Sequence, residues 1–573
     1  MKKYLFIALA ALGFAACADK LEDTKSPAHN GETEESYIAI NLMAADADTR
    51  AEDGGLDYGT DAERKINTAY FFFFDENGNP FNVVNVSAPG GEKNYLQLDI
   101  TTITSNEGEP VDNVSDISNA VLILDTYKGI YPSQIVAVLN WVPTANTYSL
   151  DELHAFTTAV ADSVNGGYVM SNSVYMDAAG KMVDAVAITG ENIKTSADAA
   201  KQSPIEIYVE RIAAKVVLTA EGMNAEGNIF STQKTSDLFV SPGQMESTPV
   251  YVQLLGWELY NEYNTSNLVK NINTAWDEDV LGLAWNDRPN YRCYWASSQN
   301  GEHDDNFYWQ YNEANKLANG FTTEYGFAVA PSAQDVNTAH YTYCGENTNG
   351  TNADLRTKVI LKGQLLKKNG ENYEELEIAS WYGNEYAGED KLLVAVANSL
   401  AYTLFSSTDQ QTYSPIQPSD LICDTAVVGT KSYETGFRLS DQGEEKTWYK
   451  YSSDGNHQPF DLSDTAENIA KTNAYLAAEV KPAIIYTEGM TYYIVDIEHL
   501  GRDGKEAQYG VVRNHVYQIN INSIKGYGSP VYSGFDFKVE NPEYPEVFQD
   551  SYVAARINVL SWKVVKQQVD IVQ

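Results

Sequence analysis

The sequence predicts an all-β protein of two β-sandwich domains with minor helices. Three observations predict it. Tyr (39 residues) and Phe (19) are abundant, and Val, Ile and Thr recur in short runs; such residues suit a pleated, half-buried surface. Gly, Asn and Asp interrupt those runs about every ten residues, as turns between strands do. At 573 residues the chain exceeds what one ordinary core fills, so two large domains are the simplest division.

The chain opens on a basic Met1-Lys2-Lys3, followed by an apolar run from Tyr4 to Ala16. That length suits a signal peptide and is too short for a membrane-spanning helix. The run ends Gly13-Phe14-Ala15-Ala16-Cys17, the form of a bacterial lipoprotein cleavage site, with Phe14 where Leu is more usual. Cys17 is the expected lipidation site. Acyl chains there would tie the precursor to a membrane, each buried methylene adding about 0.8 kcal/mol. No later run reaches spanning length, so the membrane is expected as a partner only through the precursor's lipid.

Residues 18–35 are polar and acidic and read as a tether. Ser36 to Ala44 alternates as a strand with Ile38, Ile40 and Leu42 on one face. An Asp/Gly-rich stretch follows and contains Thr49-Arg50-Ala51, Arg50 being the only arginine before Arg64. Lys65 to Phe74 is a strand apolar on both faces, hence central, and Asp75 to Pro80 carries an Asn-Gly turn signal. Ile135 to Asn140 is another buried strand. Ser149-Leu150-Asp151-Glu152 has capping-box form and predicts a helix with Leu153, Phe156, Ala159 and Val160 on one face. Pro204 to Leu218 holds two strands around Glu210 to Lys215.

In the second half, Val250 to Leu259 is a strong strand. Residues 262–350, rich in Asn, Tyr and Trp, read as long loops between short strands. Lys358 to Leu366 and Leu376 to Ala379 are strands, and Ser463 to Val480 a helix. Ala483 to Val495 reads as a hairpin turning at Glu488-Gly489, and Val511 to Ile521 alternates cleanly. Asn541 to Glu546 carries two prolines that bar helix and ladder, so it is an extended linker. In the tail, Val553, Ala555, Ile557 and Val559 share one face. Val565, Val569 and Ile571 share one face of its continuation.

A detachable first strand and a spare last strand suit assembly by strand exchange. Cleavage after Arg50 would release the first strand, and its groove could take a neighbour's tail, main-chain bonds giving affinity and alternate side chains specificity. Extended at about 3.3 Å per residue, Ser551 to Gln573 reaches roughly 75 Å. The contact is head-to-tail and open-ended, so it builds a filament.

The net charge of −40 opposes nucleic acid and anionic lipid. Cys293, Cys344 and Cys423 fit no zinc spacing, and either one disulfide or packed thiols accounts for them. The histidines show no metal-ligand pairing, and nucleophile elbows, phosphate loops and nucleotide fingerprints are lacking. The reading is therefore not an enzyme, with no cofactor and no metal. A rival reading is a surface glycan-binding lipoprotein using Trp295, Tyr308 and Trp309. Asp162-Ser163-Val164, Asp424-Thr425-Ala426 and Asp464-Thr465-Ala466 resemble O-glycosylation tripeptides.

Several segments in order resemble the fimbrillins of Bacteroidales, and within them the major (shaft) subunit of type V pili. They are Phe14 to Cys17, Thr49-Arg50-Ala51, Lys65-Ile66-Asn67, Val209 to Val216, Tyr486 to Gly489 with Tyr492-Tyr493, Arg513 to Ile521, and Tyr552 to Gln573. The resemblance implies transthyretin-like β-sandwich domains, a removable N-terminal strand and C-terminal donor strands. It implies lipidation at Cys17, processing of Arg50–Ala51 by an Arg-specific protease, and Tyr552–Gln573 as donor. The expected divisions are 1–17 (signal peptide and lipobox), 18–50 (propeptide), 51–222 and 223–540 (the two sandwiches) and 541–573 (linker and donor strands). Expected partners are identical subunits in a homopolymer, anchor and tip fimbrillins, the processing protease, and host or bacterial surface ligands. The expected location is a cell-surface fimbrium, with the precursor at the outer membrane; tip or anchor fimbrillins are the near alternatives. The Tyr/Trp/Asn-rich region around 262–350 departs from the shaft pattern.

Overall fold

The computed structural model describes residues 33–44, 63, 65–84, 91–98, 104–105, 117–127, 129–159, 167–220, 229–263, 265–272, 296–298, 308–309, 328–329, 341–349, 352, 355–424, 434–453, 455–499, 508–530, 555–559 and 563–570. The architecture is all-β with a few helices, as expected. Strands fall into two main assemblies.

The first is a single sheet that curls over its own core. Its strands are β1 (Thr33–Ala44), β2 (Ala69–Phe74), β3 (Tyr95–Leu98), β4 (Thr104–Ser105), β5 (Ile117–Tyr127), β6 (Gln134–Leu139), β7 (Met170–Asn172) and β8 (Ile205–Arg211), in the order β3-β2-β6-β7-β8-β1-β5-β4. The short strand Val186–Ala187 adds beside β6. Every residue of β2 is buried, because the sheet is covered on both faces. Phe71 and Phe73 meet Leu122, Leu124, Ile205 and Ile207 inside the curl. Phe72 faces the other way onto Tyr95, Trp141 and Tyr148. The two ends of the sheet are tied where Asp125 N donates to Val83 O at 2.9 Å.

Helix α1 (Leu150–Ala155) has the predicted capping box, Ser149 and Glu152 exchanging side-chain and backbone bonds. It is shorter than its pattern suggested. Phe156 is already extended, and Thr157–Ala159 pairs with Thr265–Asn267. Two adjacent threonines, stiff at χ1, favour that ladder over another helical turn.

The chain leaves the first sheet at Ile212. The second assembly is a sandwich of two sheets. One comprises β9 (Ala213–Ala220), β12 (Tyr341–Gly345), β18 (His515–Ser523), β20 (Ala555–Val559) and β21 (Lys563–Asp570), in the order β9-β18-β21-β20 with β12 on the other side of β9. The facing sheet runs β16-β14-β15-β10-β11-β13-β17-β19. Its strands are β10 (Ile229–Ser241), β11 (Gln244–Tyr260), β13 (Lys358–Asn369), β14 (Ile378–Trp381), β15 (Asn384–Tyr386), β16 (Ile484–Tyr486), β17 (Met490–Asp496) and β19 (Ser529–Pro530). The core between them takes Val216 and Leu218 from β9 and Tyr517, Ile519 and Ile521 from β18. Against these stand Val252, Trp257, Leu361 and Val495. Thus β9, read from sequence with the N-terminal unit, pairs in the second sandwich, in parallel with β18.

The expected hairpin at Glu488-Gly489 is not formed. β16 pairs with β14 and β17 with β13, at opposite ends of the sheet. Glu488 is left-handed (φ 52°) and Gly489 has φ 69°. A Cβ on Gly489 would sit 2.8 Å from Leu365 O, so the turn lies tight against β13 and redirects the chain. Between β15 and β16 the chain builds a side lobe around α2 (Glu389–Leu400) and α3 (Thr465–Glu479), with Leu392, Trp448 and Leu476 in its core. Asp464 caps α3, accepting from the amides of Ala466 and Glu467.

Phe72→Ala removes a ring packed on three aromatic neighbours. It should lower the stability of the first sheet by about 3–5 kcal/mol. In chemical denaturation the transition of that sheet should move while that of the second sandwich stays in place.

Candidate functional site: the first-strand groove and the docked tail

β1 occupies an interior position. It runs antiparallel to β5 from Thr33 opposite Tyr127 to Met43 opposite Ile117. It runs parallel to β8 from Ile40 opposite Ile205 to Ala44 opposite Val209. β5 and β8 make no ladder with each other. Lifting out β1 would therefore expose two facing edges about two strand spacings apart, roughly 10 Å. The clasp is asymmetric among the described residues: Thr33–Ala39 pairs with β5, and Ile40–Ala44 pairs with β8 as well.

Of the side chains expected on the buried face, Ile38 is 0% exposed and sits among Leu122, Leu124, Ile205 and Ile207. Burying such a side chain contributes about 1.5–3 kcal/mol. Ile40 and Leu42 follow at alternate ladder positions, opposite Ala120 and Ser118 of β5. The walls differ in support. β8 is held on its far side by β7, Val209 to Arg211 facing Asn172 to Met170. Among the described residues, β5 has the two-residue β4 beyond it, the Asp125–Val83 bond, and the buried Leu122 and Leu124.

The tail forms an antiparallel hairpin. Ala555 faces Val569, Ile557 faces Gln567, and Val559 faces Val565. β21 then lies parallel on β18, from His515 opposite Lys563 to Ser523 opposite Asp570, with an irregularity after Ile521. Within one subunit, then, Ala555, Ile557, Val559, Val565 and Val569 belong to the subunit's own sandwich, β20 being its outer strand. β1 has 12 residues, β20 five and β21 eight. Cys17, Arg50, Ala51, Val553, Ile571, Cys293, Trp295 and the 541–546 linker lie outside the described residues. Cys344 and Cys423 are free thiols. Burial pushes Cys344 up, with Glu262 adding to the shift. Tyr308–Trp309 forms a short strand paired with Glu262–Tyr263. Among the described residues, no cluster of His, Cys, Asp and Glu could hold a metal ion.

Three fully buried ion pairs gather where the first sheet hands over to the second. Glu63 meets Lys215 at 3.0 Å, Glu210 meets Lys270 at 3.2 Å, and Glu346 meets Arg513 at 3.0 Å. Glu63 also accepts from the Tyr343 hydroxyl, and its carbonyl accepts from Arg211 Nε at 2.7 Å. Burial, with the Glu63 charge adding, pushes the Tyr343 hydroxyl far up, so it stays a donor. Burial pushes the neighbouring Tyr168 up to about 12. Lys215 lies 4.1 Å above the Tyr341 ring, and Arg211 Nη1 donates to Asn514 Oδ1 at 3.0 Å. The Glu63–Lys215 pair is thus held on several sides, the condition under which a buried charge is tolerated. A lysine inside the apolar run Ile212 to Leu218 was the sequence signal for this cluster. Glu63, at the end of an acidic stretch, gave none.

The structure thus combines an interior first strand with a tail hairpin docked on the edge of the second sandwich. Residues 484–568 match the family "Major fimbrial subunit protein type IV, Fimbrillin, C-terminal". That segment spans β16 to β21 and fits a fimbrillin C-terminal region, a family of cell-surface fimbrial components. No curated protein matches the chain. Among solved structures, it is similar to a fimbrilin of Porphyromonas gingivalis (13% identity, 93% of this chain and 96% of that one, TM-score 0.35). It is also similar to a candidate cell adhesion protein of Parabacteroides distasonis (13%, 59% and 77%, TM-score 0.31). A third, from Bacteroides eggerthii, gives 12%, 60% and 78% with TM-score 0.24. At these scores the likenesses carry no weight of their own.

Ile38→Asp places a carboxylate in the apolar pocket of the intact chain and should loosen β1 without cleavage. Hydrogen exchange should then show lost protection along β5 and β8, while β11 and β13 stay protected.

Proposed function

We propose that the chain is the shaft subunit of a fimbrium, exported as a lipoprotein through Cys17 and cleaved between Arg50 and Ala51. It then polymerises when the tail of one subunit, Tyr552–Gln573, enters the groove vacated by β1 in the next. The observation that supports this best is the interior place of β1, between two strands that have no ladder with each other. An edge strand could be removed without leaving a cleft; an interior one leaves a slot with hydrogen-bonding groups on both walls. Unpaired edges template further pairing, so the precursor is capped while β1 is in place and competent once it has gone.

The tail has to exchange one set of main-chain bonds, to β18, for another of the same kind. Side chains then decide the direction. Val553, Ala555, Ile557 and Val559 alternate without interruption, like Ile38, Ile40 and Leu42, whereas Gln567 interrupts the face of Val565, Val569 and Ile571. The first segment is accordingly the better match to the pocket of Ile38. Partners on this reading are identical subunits, an Arg-specific protease, and anchor and tip fimbrillins. Adhesion to host or bacterial surfaces is the role of the finished fibre, at the cell surface beyond the outer membrane. The protein acts structurally and performs no catalysis.

Deleting Tyr552–Gln573 should leave processed subunits that form no fibres in electron micrographs; normal fibres would refute the donor assignment. Arg50→Ala should hold the chain as a monomeric lipoprotein, and ordinary polymers from it would refute the gating role of β1.

A further inference from the structure

The chain contains a second arginine close behind Arg50, at Arg64, followed directly by Lys65. An Arg-specific endopeptidase binds its substrate as an extended strand and pairs with main-chain groups on both sides of the bond. Cleavage adds water across that bond, leaving an arginine carboxylate and a new amine on the next residue. Both neighbours of Arg64 are engaged by the body of the protein. Glu63 is 0% exposed, its carboxylate on Lys215 Nζ at 3.0 Å and on the Tyr343 hydroxyl, its carbonyl on Arg211 Nε at 2.7 Å. The Lys65 carbonyl accepts from Asn140 Nδ2 at 2.7 Å, and Asn140 Oδ1 accepts from the amide of Asn67 at 2.7 Å. Asn140 is itself fixed, left-handed at φ 58° and also donating to Tyr168 O at 2.8 Å.

We propose that this clasp sets the end point of processing: it withholds the Arg64–Lys65 bond, so an Arg-specific protease stops after Arg50. For the enzyme to hold Glu63 and Lys65 on either side of Arg64, the body must first give up a buried carboxylate and two carbonyl bonds. The clasp also fixes the chain just ahead of β2, so β1 can leave without drawing β2 out of the sheet. Lys215 begins the ladder of β9 with Val516 of β18. The carboxylate end of the anchor is therefore in the second sandwich, while its carbonyl bonds go to Arg211 at the end of β8 and to Asn140 just after β6. The inference rests on the proposed processing at Arg50.

The test uses the full chain, an Arg-specific endopeptidase and N-terminal sequencing of the products over time. The wild-type chain should stop at a product beginning with Ala51. Glu63→Ala should release a product beginning with Lys65, with Glu63→Gln falling between, because cleavage of a transiently opened site follows the population of the open form. The increase for Glu63→Ala should be at least roughly tenfold. Two results would overturn the inference. One is that both variants stop at Ala51 like the wild type. The other is that both are cut throughout the body no later than at Arg64, which would mean that Glu63 holds the whole fold and not this bond. If the wild-type chain is not cut at Arg50 while the variants open at Arg64, the clasp stands and the processing reading falls.

Discussion

The fold depends on β1 being an interior strand. Its hydrogen bonds serve β5 along nearly its whole length and β8 along its last five positions, and Ile38 completes the core beneath them. Remove it and the first sheet has neither a continuous ladder nor a closed core. A sheet in that state must be refilled, because buried main-chain groups without partners are costly. What refills it has to be another strand of similar pattern. On the proposed reading, the strand is a cap because of its position, whatever its affinity.

The two assemblies divide the work. The first holds a slot that one strand fills. The second carries at its edge a hairpin that binds by the same type of ladder. The three buried ion pairs stand between them, at the hand-over from β8 to β9. Breaking one partner of such a pair costs about 3–5 kcal/mol, so the junction favours one arrangement of the two sheets. A rigid junction would suit the proposed fibre subunit, since strand exchange at either end would then leave the middle in place.

Much of this was legible in the sequence. The alternation of Ile38, Ile40 and Leu42 gave β1, the phenylalanine run gave β2, and Val250 to Leu259 and Val511 to Ile521 gave two strands of the sandwich. The clean period of two survives because each such strand packs at least one face. What was illegible was pairing. Ala483 to Val495 looks like a hairpin because its turn residues are right, yet β16 and β17 find partners far away in sequence. Helix α2 was missed since its cap position is Gly388, with φ 101° and no side-chain bond, and its run Leu392 to Ala397 is apolar without a clear period. That β1 sits between β5 and β8 could not be read locally, since neighbours in a sheet are set by the whole topology. The interior place of β1 and the Glu63 contacts thus became visible only in the fold.

The most direct measurement is the N-terminal residue and intact mass of the protein taken from the surface of its native cell, read with its behaviour in SDS before and after boiling. A chain beginning at Ala51, in a ladder of multimers that collapses only on boiling, is the predicted result. A lipid-bearing Cys17 on a single monomeric species would contradict strand removal as the trigger of assembly.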